Sequence, residues 1–154
     1  TPLYSSAASD VYKRQLMVVK AGGGETEGRF ALIDQHMPAH YGTPLHVHRT
    51  DDEAFYVLAG ELHVLCGHQQ VRAGPGTWVF APRGVPHAIQ TGEAGARVLT
   101  FSSPSGFVEF VRAVGEPARE HALPPPAPVD AERLAAIARE HGIEILGPPP
   151  GAAA

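Results

Sequence analysis

Two stretches decide how this chain folds: Leu45-His46-Val47-His48-Arg49-Thr50-Asp51-Asp52-Glu53-Ala54-Phe55-Tyr56-Val57-Leu58-Ala59-Gly60, and Gly76-Thr77-Trp78-Val79-Phe80-Ala81-Pro82-Arg83-Gly84-Val85-Pro86-His87. In the first, His46 and His48 are two apart in an extended segment, so both imidazoles leave one face of a strand, roughly 7 Å apart along it. Glu53 follows a polar, turn-like Arg49 to Asp52 and begins a strand on which Glu53, Phe55 and Val57 share a face. A carboxylate among apolar neighbours is costly unless its charge is compensated, and a divalent cation compensates it directly. His87, arriving after the Gly- and Pro-marked turns of the second stretch, completes a set of three imidazoles and one carboxylate. Such a mixed N/O set suits Fe, Mn, Ni, Cu or Zn. On a five- or six-coordinate ion it leaves room for substrate or dioxygen, whereas on four-coordinate zinc it closes the site.

Working outward, short apolar runs recur at Arg29–Ile33, Phe55–Leu58, Leu62–Cys66, Trp78–Ala81, His87–Thr91 and Arg97–Phe101. They are separated by Pro38, Gly42 and Pro44, by Ala59-Gly60, by Gly67, by Gly74-Pro75-Gly76, by Pro82 to Pro86 and by Gly92 to Gly95. Seventeen glycines and 15 prolines, spread along the chain and not gathered in one tract, agree with many short strands joined by turns. The expectation is an all-β barrel or double-sheet sandwich. After Phe101 the period changes. Phe107, Phe110, Val111 and Val114 fall at helical spacing and Gly115 and Pro117 end the pattern; Asp130 then offers an N-cap to a second helix running to Gly142. Between them, Ala122 to Pro128 is a Pro-rich surface linker, and Gly147 to Ala154 is expected to fray.

The 154 residues suffice for one domain, and a formal charge of −4 without a Lys/Arg-rich run offers no footprint for nucleic acid or an anionic membrane. No apolar stretch is long enough to span a bilayer. A cytoplasmic setting is expected, with a lost signal peptide left open. The lone Cys66, inside a strand-like run, reads as a structural thiol. Ser5 to Gln15 resembles the in-frame translation of a sequencing-library adaptor, so residues 1–15 are expected to be a non-native leader. The barrel is assigned to 16–104 and a helical extension to 105–150.

The two motifs together resemble those of the cupin superfamily. HxH, four residues, Glu, six residues, Gly is met by His46, His48, Glu53 and Gly60; Gly, five residues, Pro, one residue, Gly, two residues, His is met by Gly76, Pro82, Gly84 and His87. The fifteen residues between, Glu61 to Pro75, match the compact spacing of bacterial single-domain members, and the tail through Pro150 resembles that of small cupins similar to quercetin dioxygenase. Two departures stand out: His40 where the pattern has Gly, with Gly42 offered as the turn former instead, and Thr91 where it has Asn. The resemblance implies a cupin-type jelly-roll barrel and a homodimer. It implies one divalent transition metal held by His46, His48, Glu53 and His87. Glu53 would double as the base for a substrate hydroxyl in a metal-dependent dioxygenase acting on a small hydroxylated aromatic or enol. A non-catalytic ligand-binding or sensing module, or a metal-dependent sugar or keto-acid isomerase, are the alternatives. Candidate pocket residues are His40, Tyr41, Phe55, Trp78, Phe80 and Phe101. His36, His63, His68, His121 and His141 lack any partner pattern, and Arg97 is a better-placed charge than the turn residue Arg83.

Overall fold

The computed structural model describes residues 6–9, 15–125 and 127–151. The strands are β1 (Ser6–Ser9), β2 (Leu16–Ala21), β3 (Ala31–Met37), β4 (Leu45–His48), β5 (Asp52–Cys66), β6 (Gln69–Ala73), β7 (Trp78–Ala81), β8 (His87–Ser103), β9 (Glu116–Pro117) and β10 (Ile143–Gly147). The helices are α1 (Gly23–Thr26), α2 (Phe107–Val114) and α3 (Ala131–Glu140). All strand pairings are antiparallel.

Two strands organise the barrel. β5 and β8 pair along nearly their whole lengths, from Asp52 opposite Ser103 to Cys66 opposite His87, with register shifts between Val57 and Leu62. Each is bent there and serves two sheets. The first half of β5 and second half of β8 lie between β7 on one side and β3, β2 and β1 on the other. The remaining halves lie between β6 and the pair β4–β10. This is the jelly roll expected for a cupin barrel.

The bend explains a difference from the sequence expectation, which ended strands at Ala59-Gly60 and Gly92 to Gly95. Both chains run through these positions as strand. Gly60 (φ +74°) and Gly95 (φ +67°) take left-handed backbone at the crossing, and a Cβ on Gly60 would sit 2.1 Å from the Gly95 carbonyl oxygen. Glycine is required because the two backbones touch.

Between the sheets lies one apolar core, including Phe55, Val57, Leu62, Val64, Ile89 and Val98. A second core seals one end of the barrel, where α2 and α3 set Phe107, Val108, Phe110, Val111, Leu134 and Ala138 against Met17, Val19, Ile33 and Ile143. Helix α2 spans the expected residues, and the Asp130 carboxylate caps α3 by accepting from the Arg133 N–H at 3.0 Å. β6 and β10 were not expected. β6 is a largely exposed hairpin partner rich in glutamine and arginine, and β10 extends the tail along β4 as far as Gly147. Residues 152–154 of the tail expected to fray lie outside those described. β1, within the run read as a leader, pairs with β2.

Candidate metal centre

His46 and His48 project from β4, Glu53 is the second residue of β5 and His87 opens β8, with His46 directly opposite His87 in the ladder. All four are buried, and one ligand atom from each lies within 4.8 Å of every other. The period-two reading of β5 holds: Glu53, Phe55 and Val57 face inward together, while Tyr56 and Leu58 face out.

The ring orientations suit a cation. The Nδ1 of His46 faces the Pro44 carbonyl at 2.8 Å, and the Nδ1 of His87 faces the Val85 carbonyl at 3.1 Å. A carbonyl only accepts, so each Nδ1 carries the proton and each Nε2 points into the cluster, the arrangement that orients metal-bound histidines. Among the described residues neither nitrogen of the buried His48 has a hydrogen-bond partner, although its Nε2 is 3.4 Å from Glu53 Oε2. A buried, orphaned imidazole beside a carboxylate is costly, and a bound cation relieves that cost. The donor set therefore fits a divalent metal.

Without a metal, Glu53 and His87 favour each other's charged forms. The Glu53 carboxylate, 2.9 Å from His87 Nε2, is raised by burial, but the neighbouring imidazoles outweigh this and hold it down to about 2. Burial lowers His87, yet its contact with Glu53 prevails and lifts it above the ordinary histidine value. Burial, reinforced by the other two imidazoles, pushes His46 down to about 3. Burial likewise lowers His48. The proton thus favours His87, while His46 and His48 are pushed towards the neutral form in which imidazoles ligate metal.

The cluster opens into a small, partly open cavity of about 30 Å³. Phe55 lines it, joined by residues with no motif to announce them: Gln15, Met17, Gln35 and Thr43 on the barrel walls, Phe107 and Phe110 from α2, and Ile143 from β10. The Gln35 carboxamide is fixed from both sides, its oxygen accepting from Thr100 Oγ1 at 2.7 Å and its nitrogen donating to Gln15 Oε1 at 2.5 Å. These residues are drawn from seven separate elements or loops, so only the barrel's closure assembles them.

The other expected pocket residues lie elsewhere. Trp78 pairs with Tyr56, and Phe80 and Phe101 both pair with Ala54, all on the outer face of the sheet. The expectation that these aromatics wall the cavity is corrected by strand alternation: in β7 it is Val79 and Ala81 that point inward. His40 and Tyr41 line a different cavity, of about 840 Å³, between the barrel exterior, the start of α3 and the C-terminal segment. The two departures from the motif are explained here. His40 itself adopts the left-handed backbone (φ +54°) that favours glycine, and Gly42 does not take that role. Thr91 Oγ1 donates to the Pro38 carbonyl at 2.7 Å and accepts from the Tyr41 N–H at 2.9 Å, stitching down the loop that His40 strains. Arg97 is tied to Asp34 by two hydrogen bonds and Arg83 to Asp52, both away from the cavity. His36 is 3.2 Å from Asp34, and His63 pairs with Glu61. Cys66 is half-buried, and burial raises its thiol.

A double-sheet barrel with three histidines and a glutamate converging inside it is a cupin, and residues 33–102 match the cupin domain model; the chain belongs to the cupin superfamily. Among known proteins it is similar to the dimethylsulfoniopropionate lyase DddQ of Ruegeria pomeroyi, 39% identical over 75 residues, 48% of this chain and 37% of that one. It is also similar to the quercetin 2,3-dioxygenase of Bacillus subtilis, 26% identical over 139 residues, 88% of this chain and 41% of that one. The chain thus spans about two fifths of the length of these relatives. Among solved structures, KdgF from Halomonas sp. shares the fold with a TM-score of 0.57 at 21% identity, covering 63% of this chain and 84% of that one.

Proposed function

We propose that the chain is a metal-dependent dioxygenase for a small hydroxylated aromatic or enol substrate, with one divalent transition metal held by His46, His48, Glu53 and His87. The observation that carries the reading is the ionised Glu53 carboxylate, buried and aimed at both His48 and His87 at the mouth of a largely apolar cavity. The similarity to a quercetin dioxygenase over 88% of the chain supports the reaction class. The metal would supply Lewis acidity and a place for oxygen ligands. Glu53 accepts the proton of the substrate hydroxyl, breaking that O–H bond as its own forms, and leaves an electron-rich enolate to react with dioxygen. Both oxygen atoms enter the product, so the substrate is the reductant and no external electron donor is needed. The apolar walls exclude water from the anion.

The test is oxygen consumption with single-ring enediols and flavonols after loading with Fe, Mn, Ni, Cu or Zn in turn. Uptake with at least one metal, abolished in Glu53→Gln, supports the proposal; no uptake with any metal refutes it. A second reading, proton abstraction without oxygen, draws on the 39% identity to a lyase. It predicts turnover that is unchanged under anaerobic conditions.

We also propose that two copies of the chain pair through the outer face of the β7–β5–β8 sheet. Trp78 and Phe80 are 55% and 52% exposed, and they join Tyr56, Leu58, Phe101 and Phe30 in one apolar patch. The charges at its edge, Asp34 with Arg97 and Asp52 with Arg83, are already paired within the chain. With aromatic side chains at roughly 150–250 Å² each, the exposed part amounts to about 450 Å². That supplies the apolar centre of the roughly 800 Å² per partner typical of a stable interface.

A further inference from the structure

The barrel end above the ligand cluster is closed by one helix face. Phe107 and Phe110 stand on it with ring centroids 5.9 Å apart, and the Phe107 ring lies 5.6 Å from the ring of His48. Of the four buried residues of α2, Val108 and Val111 have no exposed surface, whereas Phe107 retains 9%. Its ring lines the cavity and is the least tightly covered on that helix face. The space inside, about 30 Å³, accommodates about two water-sized groups, since one water occupies some 10–15 Å³ on this measure. No flavonol-sized molecule fits beside the ligands while that ring is in place.

From this we infer that Phe107 is the specificity-determining residue of the site, a one-ring gate that admits single-ring or acyclic enols and enediols and excludes fused-ring flavonols. The inference rests on the metal-centre reading above and narrows its substrate class. Turning one phenyl ring aside frees a phenyl's worth of space next to the existing cavity, which is room for one further ring. The remaining walls do not yield so readily. Phe110, which lines the cavity beside Phe107, is less exposed (3%) and is backed by Val108 and Val111 in the core that all four share with Leu134, Ala138 and Ile143, while Gln35 is held between Gln15 and Thr100. A single-ring ligand thus needs one rotamer change, whereas a flavonol needs displacement of the whole helix and the core beneath it.

The experiment uses the full chain loaded with Co(II), whose visible absorption reports ligands entering its coordination shell, with bound cobalt counted by elemental analysis. Azide, catechol and 3-hydroxyflavone form the size series, titrated into wild type, Phe107→Ala, Phe107→Leu and Val111→Ala. Wild type is expected to respond to azide and catechol but not to 3-hydroxyflavone. Phe107→Ala should bind 3-hydroxyflavone at least tenfold more tightly than wild type, with Phe107→Leu between them. Val111→Ala loosens the same helix without lining the cavity and should behave as wild type, which separates a gate from general loosening. If Phe107→Ala fails to fold, the Leu variant carries the test. With cobalt bound, equal 3-hydroxyflavone affinity in wild type and the Phe107 variants overturns the gate alone. Wild type that binds no cobalt overturns the metal centre itself.

Discussion

Lowering the pH should displace metal from this site by way of a single proton. In the metal-free cluster Glu53 is ionised, held down to about 2; His46 is neutral down to about 3 and His48 is lowered as well; only His87 is raised. At pH 5.5 three unperturbed imidazoles of pKa near 6.5 would together hold about 2.7 protons, all of which an incoming metal would have to expel. Here His46 is already neutral and His48 is shifted in the same direction, so the number expected is about one, from His87. The affinity should therefore fall about tenfold per pH unit, ~1.4 kcal/mol, in place of the several-hundredfold expected of three ordinary histidines. The cause is physical: burial denies His46 and His48 their protons, whereas the carboxylate 2.9 Å from His87 holds one there. Isothermal titration calorimetry of Zn²⁺ binding at pH 5.5, in two buffers of different ionisation enthalpy, counts the protons released. Two or more released protons would refute the reasoning, because the imidazoles would then be titrating as exposed groups.

Other consequences follow from the same structure. Below pH 6.5 the unfolded chain takes up protons that folded His46 refuses, and below 4.5 the same holds for Glu53. The metal-free protein should thus lose stability progressively as pH falls from 6.5 towards 3, measured by urea unfolding. Gly60→Ala forces a Cβ to within 2.1 Å of the Gly95 oxygen in left-handed backbone and should cost about 2–5 kcal/mol. Gly84→Ala shares the backbone strain (φ +77°) but meets no neighbour, so it should cost only about 1–2 kcal/mol; chemical denaturation compares the two. Trp78→Lys with Phe80→Ser should convert a dimer to a monomer in light scattering while leaving the thermal midpoint within a few degrees, since both side chains face outward.

Much of this was legible in the sequence, and what was not has identifiable causes. Three of the four ligand positions could be read because their spacing is local, two residues on one strand, a turn, then the second residue of the next, and His87 could be read from the Gly/Pro turn motif that precedes it. The inward set Glu53, Phe55, Val57 followed from period two alone. The same rule would have turned Trp78 and Phe80 outward once Val79 and Ala81 were seen to be inside, but an aromatic in a strand is ordinarily core, and that prior prevailed. The continuity of β5 and β8 through Gly60 and Gly95 was hidden because glycine marks both turns and backbone crossings, and only the close approach of the two chains distinguishes them. The cavity lid was legible as a helix but not as a lid, since the amphipathic face of α2 shows that it packs without showing on what. Gln35 carries no motif, and its place opposite the ligands depends on β3 lying beside β8.

The most direct test of the account is elemental analysis of the purified chain after exposure to equimolar Fe, Mn, Ni, Cu and Zn, alongside His46→Ala and His87→Ala. The account predicts about one transition-metal ion per wild-type chain and its loss from both variants. Metal retained in both variants, or none bound by wild type, would contradict it.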